Sequence, residues 1–533
     1  MIWRNPIFIR FCRSELRVKK AIFWYLLTFI VTTFTVAMIY TPQVINGREA
    51  QDAARSAFLP ILIIQGVILL FMGTGSVASG ITKEKVDNVL NYQRLTPMRT
   101  RDKILGYLFG LPVRQYVLFG ITLPFLLFVL IVGRIPPTAF VPYYLVFFSS
   151  TLLYHFTGMV AGMISKRWRW SARISQGLIV LLYFVLPQLS HIGLVFLEFL
   201  TVRPVFVEYI IPVVGESVQI QNDDMIIFAG KSVPFFVFEI SGTLFSFIIQ
   251  SGLIVLFAAI IARKWKSDSK QAISKPMAAI TFTAFSVMSL GNIWPNLVRS
   301  DRALDIFQSG GDLGSEVAVI VLPLILALAT TMLAFVLLTS ALPDPMQFRH
   351  GLIRAKRHLR NRLSPWEDAS GGYYVTAVIF LVQATFLSFV YIALYKSQYF
   401  DGLDSNPMLA AWMFIATGLF LFYYQGLKEN FGSGQVAMFV LIGWALPILV
   451  AVFILAVRQE PSSIMFMTAG LSPITIIPFS AAQLESSGEE VAVFVSRGLA
   501  VSVLTLLAMN AWLHVRLARQ RKKLSDEELS RLS

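Results

Sequence analysis

Apolar stretches recur along the chain, each about as long as a helix needs to cross a hydrocarbon core and each closed by a short polar segment. Twelve can be placed, near residues 21–40, 58–80, 117–133, 140–164, 174–200, 234–262, 277–294, 317–341, 374–396, 408–425, 436–457 and 491–514. The seventh is short and rich in Thr and Ser. The pattern predicts an all-α polytopic membrane protein with about twelve transmembrane helices. Ahead of them, residues 7–20 are amphipathic. At 100° per residue, Arg10, Arg13, Arg17 and Lys20 share an arc of ~80°. Ile7, Phe8, Phe11, Cys12, Leu16 and Val18 take the other side. Such a helix is expected in the membrane interface, with its apolar face in acyl chains and its arginines on phosphates. Glu15 falls within the apolar arc, so it should meet a neighbouring segment or pair locally with Lys19.

Composition agrees with this pattern. Hydrophobic residues make up 56% of the 533 and charged ones 14%, too little polar surface for a soluble chain of this length. The net charge of +15 does not point to nucleic acid, because the charges sit in the segments between spans. With the N-terminus inside, 35 of the 45 lysines and arginines lie in inner segments, 9 in outer ones, and Arg497 in the last span. That bias predicts both termini cytosolic. It also supports the seventh span, without which one of the basic loops 263–275 and 342–372 would lie outside.

The single cysteine, Cys12, excludes an intramolecular disulfide and a cysteine-based metal cluster. The first apolar stretch, from Ala21 to Tyr40, lacks a small-residue cleavage pattern and is expected to be a retained span. The longest outer segments, 201–233 and 458–490, contain the Pro-broken runs Tyr209–Pro212 and Leu471–Phe479. These fit either short re-entrant or interfacial helices, or ordinary ordered loops.

The segment after the second span runs Ile81-Thr-Lys-Glu-Lys-Val-Asp-Asn-Val-Leu-Asn-Tyr-Gln-Arg-Leu-Thr-Pro-Met98 and continues to Gly106. Pro97 should end one helix, and Thr100 should cap the next. With Asn5-Pro6 and Ser14-Glu15-Leu16-Arg17 at the amphipathic N-terminus, this arrangement resembles the permease subunits of ATP-binding-cassette exporters of the second type. Two features depart from the family pattern. Val86-Asp87-Asn88 stands where a Gly-Thr pair is usual, and Gly106-Tyr107 replaces a Gly-Lys pair.

The resemblance implies an elbow helix over 4–20, with Arg10, Arg13, Glu15 and Arg17 as its marked residues. It implies a coupling loop over 81–116 in which Glu84, Asp87, Leu95, Thr96 and Pro97 receive the stroke of a separate ATPase subunit. Residues 1–270 would form one six-span unit. The run Asn361-Arg362-Leu363-Ser364-Pro365-Trp366 echoes Gln93–Met98 at an offset of 268 residues, which suggests a second, degenerate unit over 271–533. Arg362, Leu363, Ser364 and Pro365 would then form a second coupling loop, and the chain would be a pseudo-dimer. Otherwise it would pair as a homodimer.

No Gly-x-x-x-x-Gly-Lys-[Ser/Thr] occurs, so ATP is expected on the partner subunit and no cofactor on this chain. Gly73–Gly80 reads as small-residue helix packing. His155 and His191, the latter beside Gln188, suit structural hydrogen bonds or proton relays. Gln65, Gln176, Gln250, Gln383 and Asn510 could line a path or bond between helices. Glu198, Glu239 and Arg497 fall near outer span ends, and no carboxylate lies at mid-span. That weighs against the alternative of an ion-coupled twelve-span carrier. A membrane-embedded lipid or glycan enzyme would need clustered His, Asp or Glu at one membrane face, and Asp223-Asp224 on the outer side is the nearest approach. The leading expectation is a multi-pass transport subunit in a bacterial inner membrane, in contact with lipid and exporting a small amphipathic or lipidic substrate, with no nucleic-acid partner.

Overall fold

A computed structural model of the chain describes residues 2–185, 189, 194–214, 232–267, 270–298, 314–357, 363–396, 407–482 and 489–530. Gln188, His191, Asp223, Asp224 and Arg362 lie outside the described residues. The described chain is mostly helical and divides into two compact units, Met1–Lys270 and Gln271–Ser533.

The first unit opens with α1 (Pro6–Glu15) and α2 (Val18–Ile45). A long bipartite helix follows: α3 (Ala50–Gly66), a π-helical turn (Val67–Gly73) and α4 (Thr74–Val86). Next come α5 (Val89–Leu95), α6 (Thr100–Gly110), α7 (Val113–Val132), α8 (Pro137–Ile164) and α9 (Trp168–Phe184). A 3-10 helix (Val195–Leu200), α10 (Arg203–Tyr209) and α11 (Ile211–Val214) are short. An antiparallel hairpin, β1 (Ser232–Phe235) with β2 (Phe238–Ser241), pairs Ser232 with Ser241, and α12 (Gly242–Lys266) ends the unit.

The second unit holds α13 (Lys275–Val298), α14 (Gly314–Ala341), α15 (Pro345–Arg357), α16 (Tyr373–Lys396) and α17 (Pro407–Asn430). α18 (Ser433–Val440) and α19 (Leu446–Arg458) flank a second π-helical turn, Leu441–Ala445. α20 (Ser463–Gly470), α21 (Ile476–Ala482) and α22 (Glu489–Ser530) complete it.

Ten helices among the described residues are long and apolar enough to cross a membrane, or eleven if one bent pair is a single span. The polytopic architecture expected from the pattern is therefore present, with fewer qualifying helices than twelve. The expected span 174–200 breaks up. Its helix, α9, has 17 residues and opens on Arg169 and Arg173, and Val195–Leu200 winds as a separate 3-10 helix. The expected span 234–262 begins late because Ser232–Ser241 forms the hairpin. The alternation around Phe235 and Phe238 suits strands, and Ser241 Oγ then caps α12 by accepting from Leu244 N. The expected span 408–425 is helical as part of α17, and its first residues, 408–410, have side chains outside the described ones. The second span is longer than its apolar stretch, running Ala50–Val86. Of the Pro-broken runs, the one near Leu471 forms the bent pair, Ser463–Gly470 and Pro473–Ala482, at 108°.

Polar side chains hold the spans together. Gln65 Nε2 donates to Thr122 Oγ1 (2.9 Å) and Gln65 Oε1 accepts from Tyr144 OH (2.6 Å). Gln250 Nε2 donates to Ser150 Oγ at 3.0 Å and Phe199 O at 3.1 Å. Gln383 Nε2 reaches Thr330 and Thr331, and Asn510 Nδ2 reaches Leu419 O. Of the two roles open to these residues, the structure provides the bond between helices. Gln176 Nε2 donates to Phe71 O and His155 Nε2 lies 3.2 Å from Leu69 O, so both serve carbonyls of the first π-helical turn. Tyr116 OH lies 3.2 Å from His155 Nδ1. Glu198 is in the 3-10 helix, 3.7 Å from Arg203; Glu239 is in β2 and not in a span; Arg497 donates to Ser463 Oγ.

α4 packs closely against α8 and α9, and α8 also against α12. Glycines set the approach. A Cβ on Gly158 would lie 2.7 Å from Thr74 O, and one on Gly162 2.7 Å from Ala78 O. These two positions make a small-xxx-small seam facing the Gly73–Gly80 run. Gly162→Ala should therefore force the seam apart at a cost of about 1–3 kcal/mol. Gly120→Ala, where a Cβ meets nothing within 4 Å, should be neutral or slightly stabilising. Thermal unfolding of the detergent-solubilised variants should show a lower Tm for the first alone.

Candidate functional site

The segment after α4 is built from three short pieces. α4 ends at Val86, Asp87 caps it, and Asn88 takes a left-handed conformation at φ 60°, which turns the chain into α5. α5 ends at Leu95, and Thr96 is extended at ψ 145°, as expected for a residue preceding Pro97. Thr96 Oγ1 donates back to Gln93 O. The next helix is capped at Arg99 and not by Thr100, which is already its first residue, and no side chain bonds the cap.

α1 lies on α6. Asn5 Oδ1 accepts from Ile7 N at 3.0 Å and Phe8 N at 3.4 Å, and this caps α1. Asn5 Nδ2 donates to Asp102 O at 2.6 Å, which ties the cap to α6. Ile7 and Phe11 join the core formed by Leu90, Ile104, Tyr107, Leu108, Ile261 and Trp265. The expectation that the apolar face of α1 lies in acyl chains is thus corrected: Ile7, Phe8 and Phe11 are buried in protein. The reason is Gly106 and Gly110 on α6. A Cβ on Gly106 would lie 2.9 Å from Ile7 Cβ, and one on Gly110 2.8 Å from the Phe11 ring.

Three side chains close the seam. Arg10 Nη2 donates to Glu84 Oε1 at 2.9 Å, and Tyr107 OH donates to Glu84 Oε2 at 2.9 Å. Burial, reinforced by the Glu84 carboxylate, holds the Tyr107 phenol above its ordinary pKa, so it stays protonated and donates. The Arg10 guanidinium also lies over the Phe11 ring, 4.6 Å from its centroid. Glu84 is thereby joined to α1 and α6 at once. Glu15, the acid expected to find a neighbour, is half-buried and forms no ion pair with a described residue.

Basic side chains then serve helix C-termini. Lys85 Nζ donates to Met163 O at the end of α8. Arg94 donates to Trp265 O and Lys264 O, both at 3.0 Å, at the end of α12. Lys103 Nζ donates to Gln93 O and Thr96 O at the end of α5. These carbonyls lie in or just after the last turn of each helix, at the negative end of its dipole, and Gln93 O also accepts from Thr96 N. What remains outward is Val86, Asp87, Asn91, Tyr92, Leu95 and Pro97, with Leu95 84% exposed and Tyr92 68%.

In the second unit the segment after α14 is built differently. α15 is a 13-residue basic amphipathic helix, whereas Leu363, Ser364 and Pro365 form no helix, and Arg362 is outside the described residues. The loop 363–372 wraps the ammonium of Lys275. Its Nζ donates to Glu367 O at 2.8 Å, Ser370 O at 2.7 Å and Ser370 Oγ at 2.5 Å, with Pro365 O and Gly371 O at 3.3 and 3.1 Å. Glu429, buried at 4% exposure, accepts from Gly372 N and from Arg521. Ser364 is exposed while Leu363 and Pro365 are half-buried, so these residues present little apolar surface.

Tyr107, Lys85, Lys103, Lys275 and Glu429 were not singled out from the sequence. The one readable signal was the four-residue spacing of Gly106 and Gly110, which marks a groove for another helix. Among the described residues, no group of His, Cys, Asp and Glu could hold a metal ion. Comparison with protein-family models, curated proteins and solved structures finds no match for this chain.

Glu84→Ala removes both partners' acceptor and should loosen α1 by about 1–3 kcal/mol. Tyr107→Phe should cost less, about 0.5–1.5 kcal/mol. Limited trypsin digestion of the folded protein should accordingly cleave after Arg13 and Arg17 faster in E84A than in Y107F, and slowest in the parent chain.

Proposed function

We propose that this chain is the membrane-spanning permease of an ATP-driven exporter, powered by a separate cassette ATPase that docks on α5 and the turn to Pro97. The exposed apolar tip of that segment supports the reading best. Leu95 and Tyr92 are exposed in a segment that also exposes the charged residues Lys83, Asp87, Arg99 and Arg101. Fully exposing a leucine forgoes about 1.5–3 kcal/mol of burial. An apolar knob with a charged rim suits a protein groove better than a lipid phase.

The mounting suits transmission of force. α5 is anchored through Leu90 in the core, through Arg94 to the end of α12, and at its last turn by Lys103 of α6. A push on Leu95 therefore reaches α12 directly and α4 through the turn at Asn88. In this reading Glu84 braces the loop against α1 and leaves partner contact to Leu95, Thr96 and Pro97. The substrate is a small amphipathic or lipidic molecule moved outward by alternating access, in a bacterial inner membrane with both termini inside. ATP binds on the partner.

Affinity purification from native membranes through a tag after Ser533, followed by mass spectrometry, tests the proposal. A P-loop ATPase should co-purify with the parent chain, and Leu95→Asp should reduce its recovery by about tenfold or more while membrane insertion is unchanged. Absence of any ATPase from the parent chain after mild crosslinking would sink the reading in favour of an ion-coupled carrier.

A further inference from the structure

α1 carries a feature that neither the docking tip nor the Glu84 seam uses. A groove of about 460 Å³ lies along its outer side, lined by Pro6, Ile9, Arg10, Arg13, Ser14 and Arg17. Three of these six are arginines and none is acidic. Their spacing is helical, so Arg10, Arg13 and Arg17 form one stripe, and the chain then breaks. Leu16 ends α1, and Arg17 is extended at ψ 124° ahead of α2. The groove therefore runs along α1 to the break that leads into the first span.

We infer that this groove binds a phosphate group, and specifically the phosphodiester of an anionic membrane lipid. Guanidinium forks match tetrahedral oxyanions through paired, charge-assisted bonds, and Ser14 adds a hydroxyl donor. Arg13 and Arg17 are exposed, line the groove and form no ion pair with a described residue. The same chemistry would take a free phosphate, but the surroundings favour a lipid. The candidate span begins at Ala21, four residues after Arg17, which sets that break at headgroup depth. Ile22, Phe23, Leu26 and Ile30 on α2 are all exposed, an apolar track on which acyl chains would lie.

Arg10 connects this site to the rest of the unit. Its Nη2 holds Glu84 while its side chain walls the groove. A phosphate in the groove adds negative charge beside a guanidinium already committed to Glu84, so lipid occupancy and the α1–α4 seam share one cation.

The inference does not depend on the exporter reading, and binding alone tests it. Protein in mixed micelles is titrated with phosphatidylglycerol or phosphatidylcholine, and bound lipid is counted by native mass spectrometry. The parent chain should retain phosphatidylglycerol in preference. Arg13→Gln/Arg17→Gln should lower that affinity on the order of thirtyfold, as expected for two basic side chains at an anionic lipid surface. Arg169→Gln/Arg173→Gln removes the same charge elsewhere and should retain the preference. Equal losses in both double variants would mean generic charge attraction and overturn the site. Displacement of the lipid by millimolar inorganic phosphate would overturn the lipid and leave a free-phosphate site. A melting profile unchanged in both variants excludes misfolding as the cause.

Discussion

A carbonyl in the last turn of a helix has no partner in its own helix, and one covered by packed protein needs another donor. The first unit meets that constraint with long cationic side chains. Lys85 closes α8, Arg94 closes α12 and Lys103 closes α5, and all three come from one short stretch of chain. The basic residues whose bias predicts the cytosolic side thus do a second task, fastening the projecting segment to the spans it leaves. The second unit gathers loop carbonyls on a cation instead, folding the loop 363–372 around the ammonium of Lys275. Inside the second span, carbonyls of the π-helical turn also meet His155 and Gln176.

Much of the architecture was legible because bilayer thickness imposes a length on apolar runs. It failed where another rule competed. The stretch around Phe235 and Phe238 is apolar, yet Val233 and Phe235 on one strand and Phe238 and Ile240 on the other take every second position, so hydropathy alone ran past the true start at Gly242. α9 falls short because it ends at Phe184, well before residue 200. For the candidate site, Pro97 gave the end of α5 correctly because its effect on the preceding residue is local. Partners remote in sequence were not readable. Arg10 and Glu84 are 74 positions apart, and only tertiary packing brings Tyr107 to the same carboxylate. The amphipathic face of α1 was visible, but its periodicity cannot tell lipid from the protein groove that Gly106 and Gly110 open.

The two loops that looked alike in sequence differ in use. Gln93–Met98 ends a helix whose last residue stands clear of the protein, whereas Leu363–Pro365 belongs to a turn whose carbonyls point inward at an amine. A shared Leu-[Ser/Thr]-Pro string sets a local backbone preference and nothing more. What surrounds it decides whether a side chain or a backbone oxygen is displayed.

The first π-helical turn also changes what one span can do. An extra residue in a helix rotates everything beyond it by ~100° relative to an unbroken α-helix. α3, before the turn, lies against α2 and α7, while α4, after it, lies against α8 and α9. A straight helix would present one face along its whole length and could not serve both sets of neighbours equally. The inserted phase lets a single rod act as the spindle between two helix groups, each gripping a different side of it.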